Sequence, residues 1–411
     1  MSSPYKAMAI LLADTSGGET LHPLNKHRAK AAIPFGGKYR LIDFSLTNCL
    51  HSNIRQILVL TQFKSHSLHK HIRDGWSIFN PELGEYITLL PPQMRTGQDW
   101  YKGDADAIYQ NLYILERSKA DYFIIGYGDH IYRMDYEPLI EFHIANNADL
   151  TLTVMSHDID TASEYGVVGL DENQQVSRFH EKPEKPWHLP GEPDKTLIST
   201  GVYVVSRDVL FDLVKKDQET KASTHHMGED IIPRIIRSHR VFGYQFGGDK
   251  GRVSQDRYWR NITNLDAFFD ANMDLLNAEP PINLYQPDWP IRTYSGQYPP
   301  ARTVPGLLGN EGISINSIIN SGSVISGGSV QESILFHNVV VEDEAQVQRS
   351  ILFDDVVIKA GASVQNCIIE KRVVIPNNMN IGFDYDEDIK HFHVTPAGIV
   401  VISRSAMEKF Q

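Results

Sequence analysis

Four short tripeptides late in the chain restrict its fold more than any other feature. Ser317-Ile318-Ile319, Ser333-Ile334-Leu335, Ser350-Ile351-Leu352 and Cys367-Ile368-Ile369 recur at a nearly fixed interval, with Val324-Ile325, Val339-Val340, Val356-Val357 and Val373-Val374 between them. An aliphatic residue at about every sixth position lets three short strands make each coil of a triangular, left-handed parallel β-helix. A plain antiparallel sandwich is the competing arrangement, and a tripeptide that keeps its register across four copies argues against it. The β-helix is expected over residues 310–411. Its open ends call for packing onto another domain or subunit.

The chain before the repeat has a different rhythm. Met8 to Ala13, Ile54 to Thr61, Tyr122 to Gly126 and Leu150 to Met155 read as strands, and Asp106 to Arg117 and Tyr136 to Asn147 carry apolar residues at helical spacing. Strand, helix, strand in this order predicts an α/β domain over residues 1–277, with a doubly wound, mostly parallel sheet. Ligands of such sheets bind beyond the carboxyl ends of the strands. Residues 278–309, rich in proline and tyrosine, form a linker. Its Trp289 and Ile291 call for packing against the first domain.

Composition narrows the function. A net charge of −12 over 411 residues argues against a nucleic-acid binder working through general electrostatics. Cys49 and Cys367 are far apart with apolar neighbours and read as buried free thiols, not a metal or disulfide framework. No apolar run approaches the roughly 20 residues that span a bilayer, and the first residues lack a signal-peptide core, so the expected compartment is the cytoplasm.

Against the acidic background, Leu11 to Arg40 stands out. An apolar strand enters the small polar turn Asp14-Thr15-Ser16-Gly17-Gly18, and Lys26, Arg28, Lys30, Lys38 and Arg40 follow. Backbone N–H groups of such a turn, with cations behind them, suit a nucleotide or sugar phosphate; a solvated basic face is the alternative. Asp129, in Gly128-Asp129-His130 after the strand ending at Gly126, is placed to hold Mg²⁺ against phosphates, or is an ordinary turn aspartate. Lys182, in Glu181-Lys182-Pro183, offers a point charge to a phosphate, or a surface charge pair. Ser199 to Tyr203 reads as a loop-to-strand junction with hydroxyls for a sugar, or as an ordinary strand start, and Trp100-Tyr101-Lys102-Gly103 as a ligand wall or packing corner. His225-His226 lacks cysteines at ligand spacing and reads as solvated, not zinc-binding.

Taken in order, Arg28-Ala29-Lys30, Pro34 to Phe44, Gly75 to Asn80, Gly128 to Tyr132, Tyr165-Gly166-Val167, Glu181-Lys182-Pro183, Trp289 to Tyr294 and the terminal repeats resemble the bacterial ADP-glucose pyrophosphorylases, or glucose-1-phosphate adenylyltransferases. The resemblance covers essentially the entire chain. It implies a nucleotidyltransferase domain followed by the β-helix, and the reaction of ATP with glucose 1-phosphate to give ADP-glucose and pyrophosphate for glycogen synthesis. By the same resemblance, Tyr101, Gly166, Glu181, Lys182 and Ser199 line the glucose 1-phosphate site and Asp129 holds the metal. Arg28 and Lys30 act on substrate phosphates in catalysis, and Arg40 on a phosphate or effector. Mg²⁺ is the cofactor of an active member. The assembly implied is a homotetramer, or a heterotetramer with an active paralogue, under sugar-phosphate or nucleotide effectors, with no nucleic-acid or membrane partner.

The sequence departs from this pattern on the nucleotide and metal side. The family's Gly-Gly-x-Gly-(Thr or Ser)-Arg loop reads Asp14-Thr15-Ser16-Gly17-Gly18-Glu19-Thr20, one residue longer and without the arginine. The family's Trp-Arg-Asp reads Trp259-Arg260-Asn261, so an amide, a poorer Mg²⁺ ligand, replaces the aspartate that shares the metal with Asp129. Gly-Thr-Ala-Asp-Ala becomes Gly103-Asp104-Ala105-Asp106-Ala107, and Pro becomes Ala31. Two functions are therefore expected to compete: a modulatory subunit that binds sugar phosphates with its own catalysis impaired, or an active adenylyltransferase with a remodelled loop.

Overall fold

The computed structural model describes residues 5–13, 20–94, 99–248, 250–253 and 257–410. The chain divides into two compact units. One comprises Met1–Gly17, Ile42–Trp259 and Gln286–Ile291, and the other Gly18–Leu41, Arg260–Tyr285 and Arg292–Gln411.

The first unit is built on a nine-stranded sheet. Its strands are β1 (Ala7–Ala13), β2 (Gln56–Thr61), β3 (Tyr86–Leu90), β4 (Tyr122–Tyr127), β5 (Leu150–Asp158), β6 (Gly166–Leu170), β7 (Val176–Glu181), β8 (Lys195–Ser206) and β9 (Val241–Gln245). The path runs β7-β6-β8-β4-β1-β2-β3, with β5 joined to β8 and β9. The apolar run Met8 to Ala13 is buried on both faces, as a central parallel strand must be, and Leu11 pairs with Val59 on one side and Gly126 on the other. Ile10, Leu58, Ile125 and Val205 share one core with the helices packed over them.

The sheet is mixed. β4, β1, β2 and β3 run parallel, while β8 is antiparallel to β4, β5 and β6. β8 thereby brings residues 199–203 alongside the carboxyl end of β4. The segment Ser199 to Tyr203, read from sequence as a loop-to-strand junction, lies inside this 12-residue strand, where the register against β5 shifts between Ser199 and Tyr203. The helix expected over Asp106 to Arg117 is two, Asp104–Gln110 and Leu112–Arg117. Asn111 separates them because its side-chain amide donates to the Ala107 carbonyl (2.9 Å) and the Tyr101 hydroxyl (2.8 Å), which draws its backbone out of helical geometry. Trp289 is buried against the His51 ring (4.7 Å between centroids) and under the Arg252 guanidinium (4.7 Å). Among the described residues no helix is long and apolar enough to cross a membrane.

The second unit contains the expected parallel β-helix. Three sheets of five, five and six short strands form its faces, with Ile318, Ile334, Ile351 and Ile368 in register on one of them. Cys49 and Cys367 are buried free thiols, each in its own unit. Corner residues Asn316, Glu332, Arg349 and Asn366 all take positive φ, so the backbone turns identically from coil to coil.

The serines that head the repeats point inward and act vertically. Ser317 Oγ accepts from Ser333 N (3.1 Å), Ser333 Oγ from Ser350 N (3.0 Å) and Ser350 Oγ from Cys367 N (3.1 Å). Each hydroxyl also donates to the carbonyl two residues back, as Ser350 does to Gln348 at 2.7 Å. Ser350→Val leaves the Cys367 amide without this acceptor in a dry interior. It should cost about 1–3 kcal/mol, read as a lower urea midpoint for the β-helix transition.

Candidate functional site

Five of the sequence-predicted residues, Tyr101, Gly166, Glu181, Lys182 and Ser199, lie in the sheet unit together with Asp129. Asp129 follows β4 at its carboxyl end, where Gly128 N bonds Leu12 O (2.9 Å) and Ser45 Oγ bonds Tyr127 O (2.7 Å). The Asp129 side chain is half-buried, with Oδ1 3.9 Å from His130 Nε2. The His130 ring is fixed between Tyr127 and Trp259, each 5.1 Å away between centroids. Gly201 of β8 lies against the same pair. Its φ is +76°, and a Cβ there would meet the Tyr127 ring at 3.0 Å and His130 Cε1 at 3.2 Å. Only glycine serves both the turn and the approach.

Glu181 ends β7 opposite Gly166 of β6. A Cβ on Gly166 would lie 2.6 Å from Glu181 Oε2, and one on Gly228 would lie 2.4 Å from the same oxygen. The carboxylate is thus clasped by two bare backbones, and no hydrogen bond from a described residue reaches it. Burial pushes the Glu181 carboxyl above its ordinary range, Lys182 opposes this, and Asp104 and Glu229 add to it. Lys182 adopts φ +46°, with its amide on the Tyr165 carbonyl at 3.0 Å. This turn departs from the strand at the residue whose charge is wanted.

Ser199 Oγ accepts from Gly201 N (3.3 Å) within the irregular part of β8. Tyr101 is buried, and its phenol is committed to protein: it accepts from Asn111 and donates to the Leu90 carbonyl (3.3 Å). Burial raises its pKa to about 12. Only the ring of Tyr101, not its hydroxyl, is left to form a wall.

Sequence reasoning missed a second polar cluster beside Glu181. Asp104 opens its helix and accepts from Met227 N (2.9 Å), Ala105 N (3.0 Å) and Tyr127 Oη (2.5 Å), and His226 Nδ1 lies 3.3 Å from its Oδ1. His225 is also buried and paired, with Nδ1 2.7 Å from Asp217 Oδ2. The reading of His225-His226 as solvated is therefore wrong for His225, which is buried, while His226 is partly exposed beside Asp104. Gly103 permits this, since a Cβ there would sit 2.3 Å from the His225 carbonyl oxygen. Nothing in the sequence marks the cluster, since Asp104 lies far along the chain from His226 and the acidic residues nearest the histidines are Asp217, Glu229 and Asp230.

Arg28, Lys30 and Arg40 belong to the other unit, as does Asn261. Arg28 is buried, with Nη2 4.0 Å from Glu370 Oε1, and Arg40 donates to the Ala32 carbonyl. Lys371 joins them: burial, then the neighbouring cations Arg28, Arg372 and Arg40, lower its pKa. Burial alone would raise the Asp354 carboxyl, but bonds from His337 and the charge of Arg40 hold it below the usual range. Arg28, Arg40, Lys371 and Arg372 are thus gathered near Glu370, Asp354 and Asp355, the last 3.6 Å from Arg372 Nε. The loop residues Asp14 to Glu19, where the missing arginine was noted, lie outside the described residues.

The described residues contain no group of three or more His, Cys, Asp or Glu side chains fit to hold a metal ion. Mg²⁺ often takes one or two carboxylates plus substrate phosphates and water. Asp129 would suit an ion bridged through substrate phosphates, and the described residues offer no set of three or more such ligands to hold one by protein alone.

The Nucleotidyl transferase family matches residues 8–278, and the GlmU-like, C-terminal hexapeptide family matches residues 299–402. A protein of Vibrio vulnificus (strain YJ016) named glucose-1-phosphate adenylyltransferase 2 is 57% identical over 398 residues, which are 97% of this chain and 98% of that one. The chain belongs to the glucose-1-phosphate adenylyltransferase family. A relative of the same name in Vibrio cholerae is 53% identical over the same shares of both chains. Glucose-1-phosphate adenylyltransferase 1 of Alkalilimnicola ehrlichii is 45% identical over 96% of this chain and 93% of its own. The hexapeptide match agrees with the left-handed coil expected for this family member from its repeats.

The raised Glu181 pKa makes a stability prediction. A carboxyl whose folded pKa lies above its unfolded value contributes stability below the unfolded value, here 4.5, and loses it as pH rises through the folded one. Glu181→Gln should therefore raise the unfolding temperature at pH 7–8 and leave it unchanged near pH 4, measured by calorimetry across that range.

Proposed function

We propose that this chain binds glucose 1-phosphate in the sheet unit and serves as a modulatory subunit in ADP-glucose synthesis, with its own turnover impaired. The single observation that supports this is Glu181, a carboxylate clasped between Gly166 and Gly228, left without a hydrogen bond from any described residue, and followed by Lys182. Carboxylates accept hydroxyl hydrogens, and an ammonium beside them answers a phosphate. Ser199 supplies a hydroxyl and the Tyr101 ring a wall.

The nucleotide half is less well provided. Thr20 or Glu19 stands where a loop arginine would meet a triphosphate, and Asn261 stands where a second carboxylate would meet the metal. Asp129 would hold Mg²⁺ against the nucleotide's phosphates, where the ion supplies charge neutralisation. The Arg28, Lys30, Arg40 and Lys371 region carries the charge for a phosphate, either of a substrate or of a sugar-phosphate or nucleotide effector. The assembly is a homotetramer or a heterotetramer with an active paralogue, in the cytoplasm, feeding glycogen synthesis.

A second reading is favoured by the names of the relatives: a fully active glucose-1-phosphate adenylyltransferase that uses a remodelled loop. The assay that separates them is ADP-glucose formation from ATP and glucose 1-phosphate with Mg²⁺, by purified chain alone and mixed with an active paralogue. Turnover by the chain alone in the ordinary range of about 1 to 1000 per second establishes the second reading and sinks the first. Restoring Asn261→Asp together with a shorter, Arg-containing first loop should raise activity at least tenfold. Independently, Glu181→Gln should weaken glucose 1-phosphate binding by roughly 10- to 100-fold, the loss of one charge-assisted hydrogen bond.

A further inference from the structure

The helix Leu41–His51 is buried along its length and is nevertheless rich in polar side chains. Asp43, Ser45, Asn48 and, in the turn that continues it, Ser52 all lie out of water among Phe44, Leu46 and Cys49. From residue 42 onward this stretch belongs to the sheet unit. Helical geometry sorts the four: positions 45, 48 and 52 are spaced to share one face, and 43 lies on the other. The two faces grip different segments of the chain.

The shared face holds the backbone on both sides of Asp129. Ser45 Oγ donates to the Tyr127 carbonyl (2.7 Å) at the end of β4. Asn48 Nδ2 donates to the Tyr132 carbonyl (3.3 Å) and its Oδ1 accepts from Met134 N (3.1 Å), so one carboxamide makes the pair of bonds that a neighbouring strand's peptides would make. Farther along, Ser52 Oγ accepts from Tyr136 N (2.8 Å) and donates to Asp135 Oδ1 (3.3 Å). Tyr127 before Asp129 and Tyr132 after it are thereby tied to a single helix. The opposite face anchors that helix in turn. Asp43 Oδ1 accepts from His71 Nε2 (2.6 Å) and Trp76 Nε1 (2.9 Å), both buried.

Resting on the reading of Asp129 as the residue that meets Mg²⁺ on a nucleotide's phosphates, we propose that Ser45 and Asn48 are positioning residues that aim the Asp129 carboxylate at the ion. An ion shared with substrate and water takes few protein ligands, and the described residues gather no larger set around Asp129 to correct its placing. The aim must then come from the flanks of the turn that carries it. Groups that orient a metal ligand commonly account for 10- to 100-fold of metal affinity. Ser52 makes bonds of the same kind from the same face, but beyond Tyr132, and so does not act on those flanks.

The test is calorimetric binding of ATP to the full chain, with Mg²⁺ and with EDTA in its place, alongside the unfolding temperature of each variant. The ratio of the two affinities isolates the metal. Ser45→Ala and Asn48→Ala should each lower that ratio by roughly 10-fold, toward the value of Asp129→Asn, with the affinity in EDTA unchanged. Ser52→Ala should lower the unfolding temperature comparably and leave the ratio as it is in the unmodified chain. Ser45→Cys, which keeps a weaker donor of similar size, should give an intermediate ratio, and it decides the matter if the alanine variant does not fold. A ratio that falls in Asp129→Asn and in neither Ser45→Ala nor Asn48→Ala overturns the positioning role and leaves Asp129 standing. An equal fall in Ser52→Ala also overturns it, since general loosening of the helix would then suffice. A ratio that Asp129→Asn does not lower, or an unmodified chain that binds ATP no better with Mg²⁺ than without it, overturns both.

Discussion

A half-buried carboxylate with no hydrogen bond from a described residue is the constraint that its neighbours in the sheet unit accommodate. Glu181 carries a desolvation cost that no hydrogen bond from a described residue offsets, and its neighbours take forms that keep the space open. Gly166 and Gly228 lack the Cβ that would close it, and the Phe179 ring packs 2.6 Å from where a Gly166 Cβ would stand. The left-handed turn at Lys182 then delivers a cation beside the anion without prolonging the strand. A protein selected for stability alone would place a neutral side chain here. The ligand-accepting role proposed above is consistent with a charge at this position.

The antiparallel insertion of β8 performs the corresponding task on the sheet side. A fully parallel sheet offers the carboxyl ends of its strands and little else above them. By running back against β4, β8 carries Ser199 and Gly201 to the level of Asp129 and His130, and the register shift beside β5 turns the chain at that level. Hydroxyl, carboxylate and ring therefore come from strands distant in sequence but adjacent in the sheet.

Much of this was legible in the residues, and what was not has a physical reason. Met8 to Ala13 and the aliphatic repeats declare themselves because burial on both faces or on every sixth residue leaves a pattern that nothing else produces. Asp129 could be placed after its strand for the same reason. Glu181 and Lys182, by contrast, look like a surface charge pair until Gly166 and Gly228 are seen beside them. The Asp104 and His226 pair is invisible in one dimension, because the 3.3 Å contact joins residues far apart whose separate appearances suggest a helix start and a solvated histidine. Asn111, which cuts a helix in two by bonding back to Ala107 and across to Tyr101, defeats periodicity in the same way: a side chain competes with the backbone, and apolar spacing does not record it.

The inward serines of the β-helix give the solenoid a polarity of dependence. Each coil's amide is satisfied by the hydroxyl of the coil before it, so information about register passes in one direction, from Ser317 through Ser333 and Ser350 to Cys367. At Cys367 the thiol bonds only weakly to the Gln365 carbonyl (3.1 Å), and the strand stacked next, Val400–Ile402, arrives after a long excursion of the chain. A cysteine is a fitting terminus, since it closes the column without presenting a strong acceptor that the next coil would have to meet. Such a column can be lengthened or shortened during evolution only by whole coils, because a partial insertion would break the relay for every turn beyond it.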